Sequence, residues 1–318
     1  MTQTGRCKSA SLQCPEHDHK KTTRLRDMNR TAQGILAILA ACVIWGLSPL
    51  YYNLLTMVPP LELLAQRTLW SFLFFALVLG LQGRFSALIH ALGNRGHVIT
   101  LFAAACAIAV NWYFFIYSVQ INRVSEASLG YFIFPLVAVV FGLIVFKEKL
   151  SALQWVAVAL AVFAVLILTY GLGVAPWLAL VLSLSFGTYS VLKKRLDLSP
   201  VISVTLEVML LLPLTVPYLL IQNWPIQDST DSWQIWFLLM GSGPLTATPL
   251  ILFSYATRRI SMSTVGIMQY INPSIQFLVA LLIFAEPMTD WHFGAFSIIW
   301  VAVVIYSWSG FSARNAAK

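Results

Sequence analysis

The chain is predicted to be an all-α polytopic membrane protein, with ten transmembrane helices arranged as two inverted repeats of five. Three observations predict it. Apolar stretches long enough to cross a bilayer fill the sequence from Gly34 onward, the Lys and Arg between them fall almost wholly on one side, and the two halves share a spaced pattern of rare residues. With 59% hydrophobic and 10% charged residues and a mean hydropathy of +0.79, 318 residues cannot hide so much apolar surface around one water-facing core.

Windows of about 20 apolar residues mark the spans. They fall near 34–55, 62–82, 98–118, 127–146, 152–171, 174–192, 201–222, 233–254, 263–284 and 291–309. Short loops make sequential helices antiparallel neighbours. The expected organisation is a polar, disordered cytoplasmic arm (1–33), a first repeat (34–171), a second, inverted repeat (172–310) and a short cytoplasmic tail (311–318). With the N-terminus inside, eighteen of the twenty Lys and Arg lie on the cytoplasmic side; Arg123 falls in an outer loop and Arg67 within a span. That asymmetry puts both termini in the cytoplasm. The net charge of +8 is then topogenic and faces lipid headgroups, with no nucleic-acid partner implied.

The first apolar stretch follows a long charged arm and lacks a small-residue cleavage site, so it stays in the membrane. Cys7, Cys14, His17 and His19 in the arm invite a zinc reading, but a disordered tether is the preferred one. Met28 offers an alternative start that leaves the bundle whole. Cys42 and Cys106 lie in spans, so no disulfide framework is expected.

Sliding the chain along itself by 138 residues superposes Tyr117 on Tyr255, Ser125 on Ser263, Pro135 on Pro273, Phe146 on Phe284 and Glu148 on Glu286. A slightly larger offset matches Trp45-Gly46 with Phe186-Gly187. Five spans per half is an odd number, so the second copy enters the membrane upside down. Inverted repeats are the signature of secondary transporters, because two related halves can exchange inward-open and outward-open shapes at nearly equal energy. A symmetric bundle with another job is the alternative.

Several runs carry a family resemblance: Trp45-Gly46-Leu47-Ser48-Pro49, Glu62 with Gln66-Arg67, NWYFFIYSVQINRVSEASLGYFIFPL from Asn111, Glu207 ahead of LLLP, and STVGIMQYINPS from Ser263. Over Met28 to Trp308 the chain resembles the RarD branch of the drug/metabolite transporter (DMT) superfamily, built from two EamA-type repeats. The resemblance implies a bacterial inner-membrane permease that exports small molecules, chloramphenicol sensitivity having given the branch its name. Phe134 stands where the branch usually has Asn, and Thr188-Tyr189-Ser190 where Tyr-Gly is typical.

Polar and irregular positions inside spans outline the expected pathway. Pro49, Pro135 and Pro273 each remove a helix hydrogen bond and can free a carbonyl, or simply kink the helix for packing. Gly241, Gly243 and Pro244, with Pro249, make the eighth span the expected helix break or gate, although a tight crossing also explains the glycines. Arg67 and Glu207 are the ionisable groups expected well inside spans, each costing about 2.5–3.5 kcal/mol at the membrane centre. Inversion places them roughly 12 Å apart in depth, which argues against a direct pair. Glu207 is the candidate proton-coupling group and Arg67 a candidate contact for polar or anionic substrate groups. A dipole-stabilised carboxylate and a snorkelling arginine are the structural alternatives. Glu148 and Glu286 close corresponding spans on opposite faces as symmetric acids, with Ser151 and Thr289 expected to cap the next helices. Trp45, Asn111, Trp112, Tyr131, Tyr189, Gln269, Tyr270 and Asn272 complete the candidate substrate-binding set, able to stack on a flat ligand and offer polar contacts.

No Walker loop, HExxH, CxxC or Gly-x-Ser-Gly occurs, so the sequence predicts no enzyme, metal site or cofactor. The expected partners are a small-molecule substrate and the lipid bilayer. Export by alternating access, with proton coupling, is the leading reading. Energy-independent exchange of amino-acid-like metabolites follows it, and a membrane receptor or enzyme comes a distant third.

Overall fold

Apolar runs have no water in hydrocarbon to bond their backbone, so they satisfy it internally as helices. The computed structural model describes residues 16–147, 151–173, 175–194, 196, 198–221, 232–260, 265 and 268–316, and no strand occurs among them. The helices are α1 (Glu16–Asn53), α2 (Pro60–Leu81), α3 (Phe85–Leu92), α4 (Arg95–Gln120), α5 (Val124–Phe146), α6 (Ala152–Leu172), α7 (Trp177–Lys194), α8 (Pro200–Ile221), α9 (Ser232–Thr257), α10 (Ile271–Leu278) and α11 (Asp290–Ala316). A π-helical turn, Val279–Ile283, extends α10.

Six stretches are long and apolar enough to cross a membrane: Arg30–Asn53, Pro60–Leu81, Arg95–Gln120, Ala152–Leu172, Val201–Ile221 and Trp233–Thr257. Four shorter apolar helices accompany them, Val124–Val137, Trp177–Lys193, Ile271–Ile283 and Asp290–Tyr306. Leu77, Phe163, Leu220, Phe237 and Trp300 point outward, while Gln66, Arg67, Asn111, Glu207 and Gln276 are buried. Such an arrangement suits a bilayer as solvent.

Local chemistry sets the helix ends. Pro60 opens α2, where its missing N–H costs nothing. Asn94 caps α4 by accepting from the N–H of Gly96 and His97. Ser151 and Gln154 form a capping box on α6, as expected for Ser151, and Gly173 ends that helix in the left-handed conformation at φ 68°. Thr289 Oγ1 instead pairs with His292 Nδ1 at 3.0 Å.

The structure departs from expectation in three places. Residues 16–33, expected to be disordered, are helical and continuous with the first span, there being no Gly or Pro between Glu16 and Gly34. Cys7, Cys14 and Glu148 lie outside the described residues. The eighth span is not broken: α9 runs unbroken through Pro244 and Pro249, and α1 and α5 run through Pro49 and Pro135. The break falls in the ninth span, where a turn at Gln269 and Tyr270 precedes α10 and Pro273.

Helix pairing brings α7 against α4 and α5, and α1 against α9 and α10. It also joins α2 to α8 and α9, α4 to α8, α5 to α10 and α6 to α11. Glycines permit the closest crossings. A Cβ on Gly46 would stand 2.6 Å from Ile275 of α10, one on Gly187 2.9 Å from Val137 of α5, and one on Gly243 2.5 Å from the Trp70 carbonyl oxygen of α2. The expected gate glycine Gly243 therefore serves a tight crossing.

Gly46→Ala is expected to destabilise the bundle by about 1–3 kcal/mol through overpacking. Gly294→Ala, whose added carbon meets nothing within 4 Å, should leave it unchanged. Thermal unfolding of the purified protein in detergent checks the pair.

Candidate functional site

Arg67 lies seven residues beyond the start of α2 at Pro60, and Glu207 seven beyond the start of α8 at Pro200. The two positions correspond, but their surroundings differ. Arg67 is 6% exposed. Its Nε donates to Thr246 Oγ1 of α9 at 2.8 Å, and its guanidinium carbon lies 4.3 Å from the Trp112 ring centroid and 5.5 Å from that of Tyr52. Aromatic faces stabilise the cation without neutralising it. Among the described residues no carboxylate forms an ion pair with Arg67.

Asn111 of α4 ties this cluster to the next helices. Its Nδ2 donates to the Leu182 carbonyl at 2.9 Å and to Ser185 Oγ at 3.2 Å, while its Oδ1 accepts from the Tyr131 hydroxyl at 3.0 Å. Tyr131 contacts Phe115 and Phe186, at centroid distances of 6.0 and 6.1 Å. Phe186 then stacks on Tyr189 at 5.7 Å and packs against Phe134 at 4.6 Å. A line of rings thus leads from the Arg67 cluster towards Glu207. Phe134 adds an apolar ring to that line.

Glu207 is buried and saturated with donors. Lys193 Nζ donates to Oε1 at 2.6 Å, Ser203 Oγ to the same oxygen at 3.0 Å, and the Tyr189 hydroxyl to Oε2 at 3.1 Å. Lys193 also reaches Ser203 Oγ and lies 5.5 Å from the Tyr189 centroid. Arg67 and Glu207 therefore do not pair with each other. The partner Lys193 was not foreseen, because it reads as a topogenic loop charge. The usable signal was the four-residue spacing of Tyr189–Lys193 and Ser203–Glu207, which sets each pair on one helix face.

The remaining candidates gather around α10. Trp45 of α1 stands 6.1 Å from the Phe253 ring. Its carbonyl, four residues before Pro49, accepts from Ser48 Oγ at 2.6 Å and from Gln276 Nε2 at 3.4 Å, so protein groups use the oxygen that the proline releases. Asn272 Oδ1 accepts from Gln276 Nε2 at 3.0 Å, and the Pro273 carbonyl accepts from Ser128 Oγ at 2.7 Å. Gln269 lies in the turn before α10. Tyr270 is not brought to Arg67: it stacks on Phe132 at 6.3 Å among apolar side chains of α5, α6 and α11, and its hydroxyl is buried without a partner. Gly241 faces Tyr51, whose hydroxyl donates to the Leu238 carbonyl.

Glu286 does more than close a span. Its two oxygens accept from the backbone N–H of Val124 at 2.5 Å and of Ser125 at 2.9 Å, holding the N-terminus of α5. A carboxylate there meets unpaired N–H groups and the positive end of the helix dipole. Arg123 pairs with Glu126 beside it. Glu62 and Glu126 are further buried acids near helix starts that periodicity did not single out.

Comparison with known proteins gives the family. The model of the EamA-like transporter family matches twice, over residues 32–170 and 174–308. The uncharacterized transporter YojE of Bacillus subtilis is 37% identical over 91% of this chain and 98% of its own. Protein RarD of Escherichia coli is 36% identical over 88% of this chain and 95% of its own. A solved crystal structure at 15% identity shares the fold, with a TM-score of 0.58 over 86% of this chain and 96% of that one.

Lys193→Met leaves the Glu207 carboxylate buried beside hydroxyls alone, whereas Lys193→Met with Glu207→Leu removes both charges. The single variant should be the less stable, with a coupling energy of about 1–3 kcal/mol across the double-mutant cycle. Unfolding midpoints of the four proteins in micelles measure it.

Proposed function

The chain belongs to the EamA-like transporter family, and from that premise we propose that it is an inner-membrane permease exporting a small organic solute by alternating access. It is a multi-pass membrane transporter of the drug/metabolite type. The observation that carries the finer reading is the line of polar and aromatic side chains from Arg67 through Asn111, Tyr131, Phe186 and Tyr189 to Glu207, inside a bundle with an apolar exterior.

On this reading the four shorter apolar helices also span, giving ten spans in two oppositely oriented repeats, 34–171 and 172–310, with both termini cytoplasmic. The helix pairing supports it. Exchanging α1 with α7, α2 with α8, α4 with α9, α5 with α10 and α6 with α11 maps the nine packed pairs named under the fold onto one another, while the slighter contacts of α4 with α1 and α5 have no counterpart. Gly46 at the α1–α10 crossing then has Gly187 as its counterpart at α7–α5. Trp45, Arg67, Asn111, Trp112, Tyr131 and Tyr189 contact substrate along the passage, with Gln269 and Asn272 beside the turn in the ninth span. Glu286 is the outward-side latch, its hydrogen bonds to α5 released when the passage opens.

Glu207 couples transport to protons by exchanging Lys193 for a proton as the inward half rearranges. The closed Lys193–Glu207 pair also favours a second reading, energy-independent exchange, since a carboxylate already held by an ammonium group need not titrate during the cycle.

Two outcomes test these proposals. Single cysteines at Asn122 and Arg258, in an otherwise cysteine-free protein, should react with impermeant maleimide from outside and inside respectively; labelling from one side only overturns the inversion. A deletion strain should lose a specific compound from its spent medium. Flux of that compound in proteoliposomes should rise severalfold under an imposed pH gradient and lose this response in Glu207→Gln. Gradient-insensitive flux selects the exchanger.

A further inference from the structure

Arg67 and Glu62 differ from the other buried charges in being answered by neither an ion pair nor backbone N–H groups among the described residues, and Glu62 keeps a buried oxygen without a partner. Glu207 has Lys193, Glu126 has Arg123, and Glu286 has two backbone N–H groups of α5. Glu62 stands five residues before Arg67 on the same helix, a rotation of about 140°, and so faces another way. Arg67 is held in place by Thr246, Trp112 and Tyr52, all neutral, with the hydroxyl-bearing Tyr131 bonded to Asn111 nearby. A planar guanidinium fixed through Nε and stacked on rings keeps its two terminal nitrogens for a carboxylate or phosphate.

A second observation lies at the end of the same helices. Arg30 and Thr31 of α1, with Arg258 and Arg259 just beyond α9, line a cavity of about 450 Å³. Arg259 is stacked 3.3 Å from the Tyr255 centroid and donates to the Tyr255 carbonyl, while its Nε is buried without a partner. Tyr255 in turn donates to Gln33 of α1. The two helices bounding this cationic cavity are those that carry Tyr52 and Thr246 to Arg67, towards the other end of the Arg30–Asn53 stretch. A cavity with one sign of charge raises the local concentration of the opposite ion.

We propose that the solute is an organic anion with a flat, ring-bearing body: the arginine mouth gathers it, Arg67 completes its charge, and the partly exposed Trp112 and Tyr131 stack its rings. The inference rests on the transporter reading and names the substrate class of that same passage.

Binding to the purified full-length protein in phosphatidylcholine nanodiscs tests it. The probes are benzoate, phenylacetate, indole-3-acetate and phenyl phosphate, each set against its uncharged amide or, for the phosphate, phenol. At least one anion should bind tenfold more tightly than its neutral partner. Arg67→Gln should reduce that preference to within twofold, and Arg67→Lys should keep part of it. Arg258→Gln with Arg259→Gln, distant from the interior, should slow anion association at least threefold at low salt, which keeps the test open if Arg67→Gln does not fold. Equal affinity for anions and neutral partners, no binding of any anion, or an undiminished preference in Arg67→Gln overturns the proposal. Loss of anion binding when phosphatidylglycerol is added to the nanodisc assigns the site to lipid headgroups and also overturns it. Failure here with solute export intact removes only the substrate class, whereas anion binding without flux removes the transporter reading.

Discussion

Hydrocarbon offers no hydrogen bonds, and that constraint arranges everything polar in this chain. Most buried hydroxyls and amides are answered from inside the bundle, the Tyr270 and Ser71 hydroxyls being exceptions. Thr68, Ser190, Thr205 and Ser254 answer themselves, donating to the carbonyl four residues back. Asn111 and Gln276 cross between helices instead, and so do the carboxylates of Glu286 and Glu207. The local bonds leave helix packing free to vary. The crossing bonds fix α4 to α7, α1 to α10, α5 to the end of the ninth span, and α7 to α8. Polar content therefore sets the architecture of an otherwise uniformly apolar bundle, where burial of one Leu rather than another distinguishes little.

The two halves share a plan but not a chemistry. Arg67 and Glu207 stand at the same step of corresponding helices, each following a helix-opening proline. One is set among rings and a threonine, the other against a lysine, a serine and a tyrosine. Duplication preserves where a side chain enters the interior, since backbone position follows from helix packing. It does not preserve charge, which can change sign provided the partners change too. The result is a buried line of side chains with a cation lacking an ion pair towards one end and a paired carboxylate towards the other.

Much of the helix layout was legible because hydropathy acts over whole spans. The helices coincide closely with the apolar windows, Ser151 caps α6 as its position implied, and Arg67, Asn111, Trp112, Tyr131 and Tyr189 lie along one connected line. What was not legible depends on distance in sequence. Glu286 holds residues more than 160 positions away. Lys193 looked like one more cytoplasmic charge because its four-carbon stem can reach back along the helix, which a topological count ignores. Tyr270 resembled a ligand contact by its nearness to Pro273, but nearness along a helix says nothing about face. Proline misled in a specific way: Pro244 and Pro249 sit in a continuous α9, because a helix clamped on both sides tolerates a missing bond.

The ninth span shows where the two halves diverge in shape. The turn at Gln269 and Tyr270 and the π-helical turn at Val279–Ile283 correspond, 138 residues earlier, to Tyr131–Phe132 and Phe141–Val145, and both of those lie in regular α-helix. Corresponding helices with the same proline thus hold different backbone states within one molecule. On the proposed reading of two inverted halves, alternating access needs that inequality, since equivalent halves would open the passage equally to both sides. The broken helix packs against its own counterpart α5 and against α1, and it carries Asn272 and Gln276 at those contacts. Straightening it would move the bonds from Gln276 to Trp45 and from Ser128 to Pro273 together. On the proposed reading, the exchange of shape between α5 and the ninth span is the step that moves access from one face to the other, and Glu286, bonded across that junction, registers which of the two is straight.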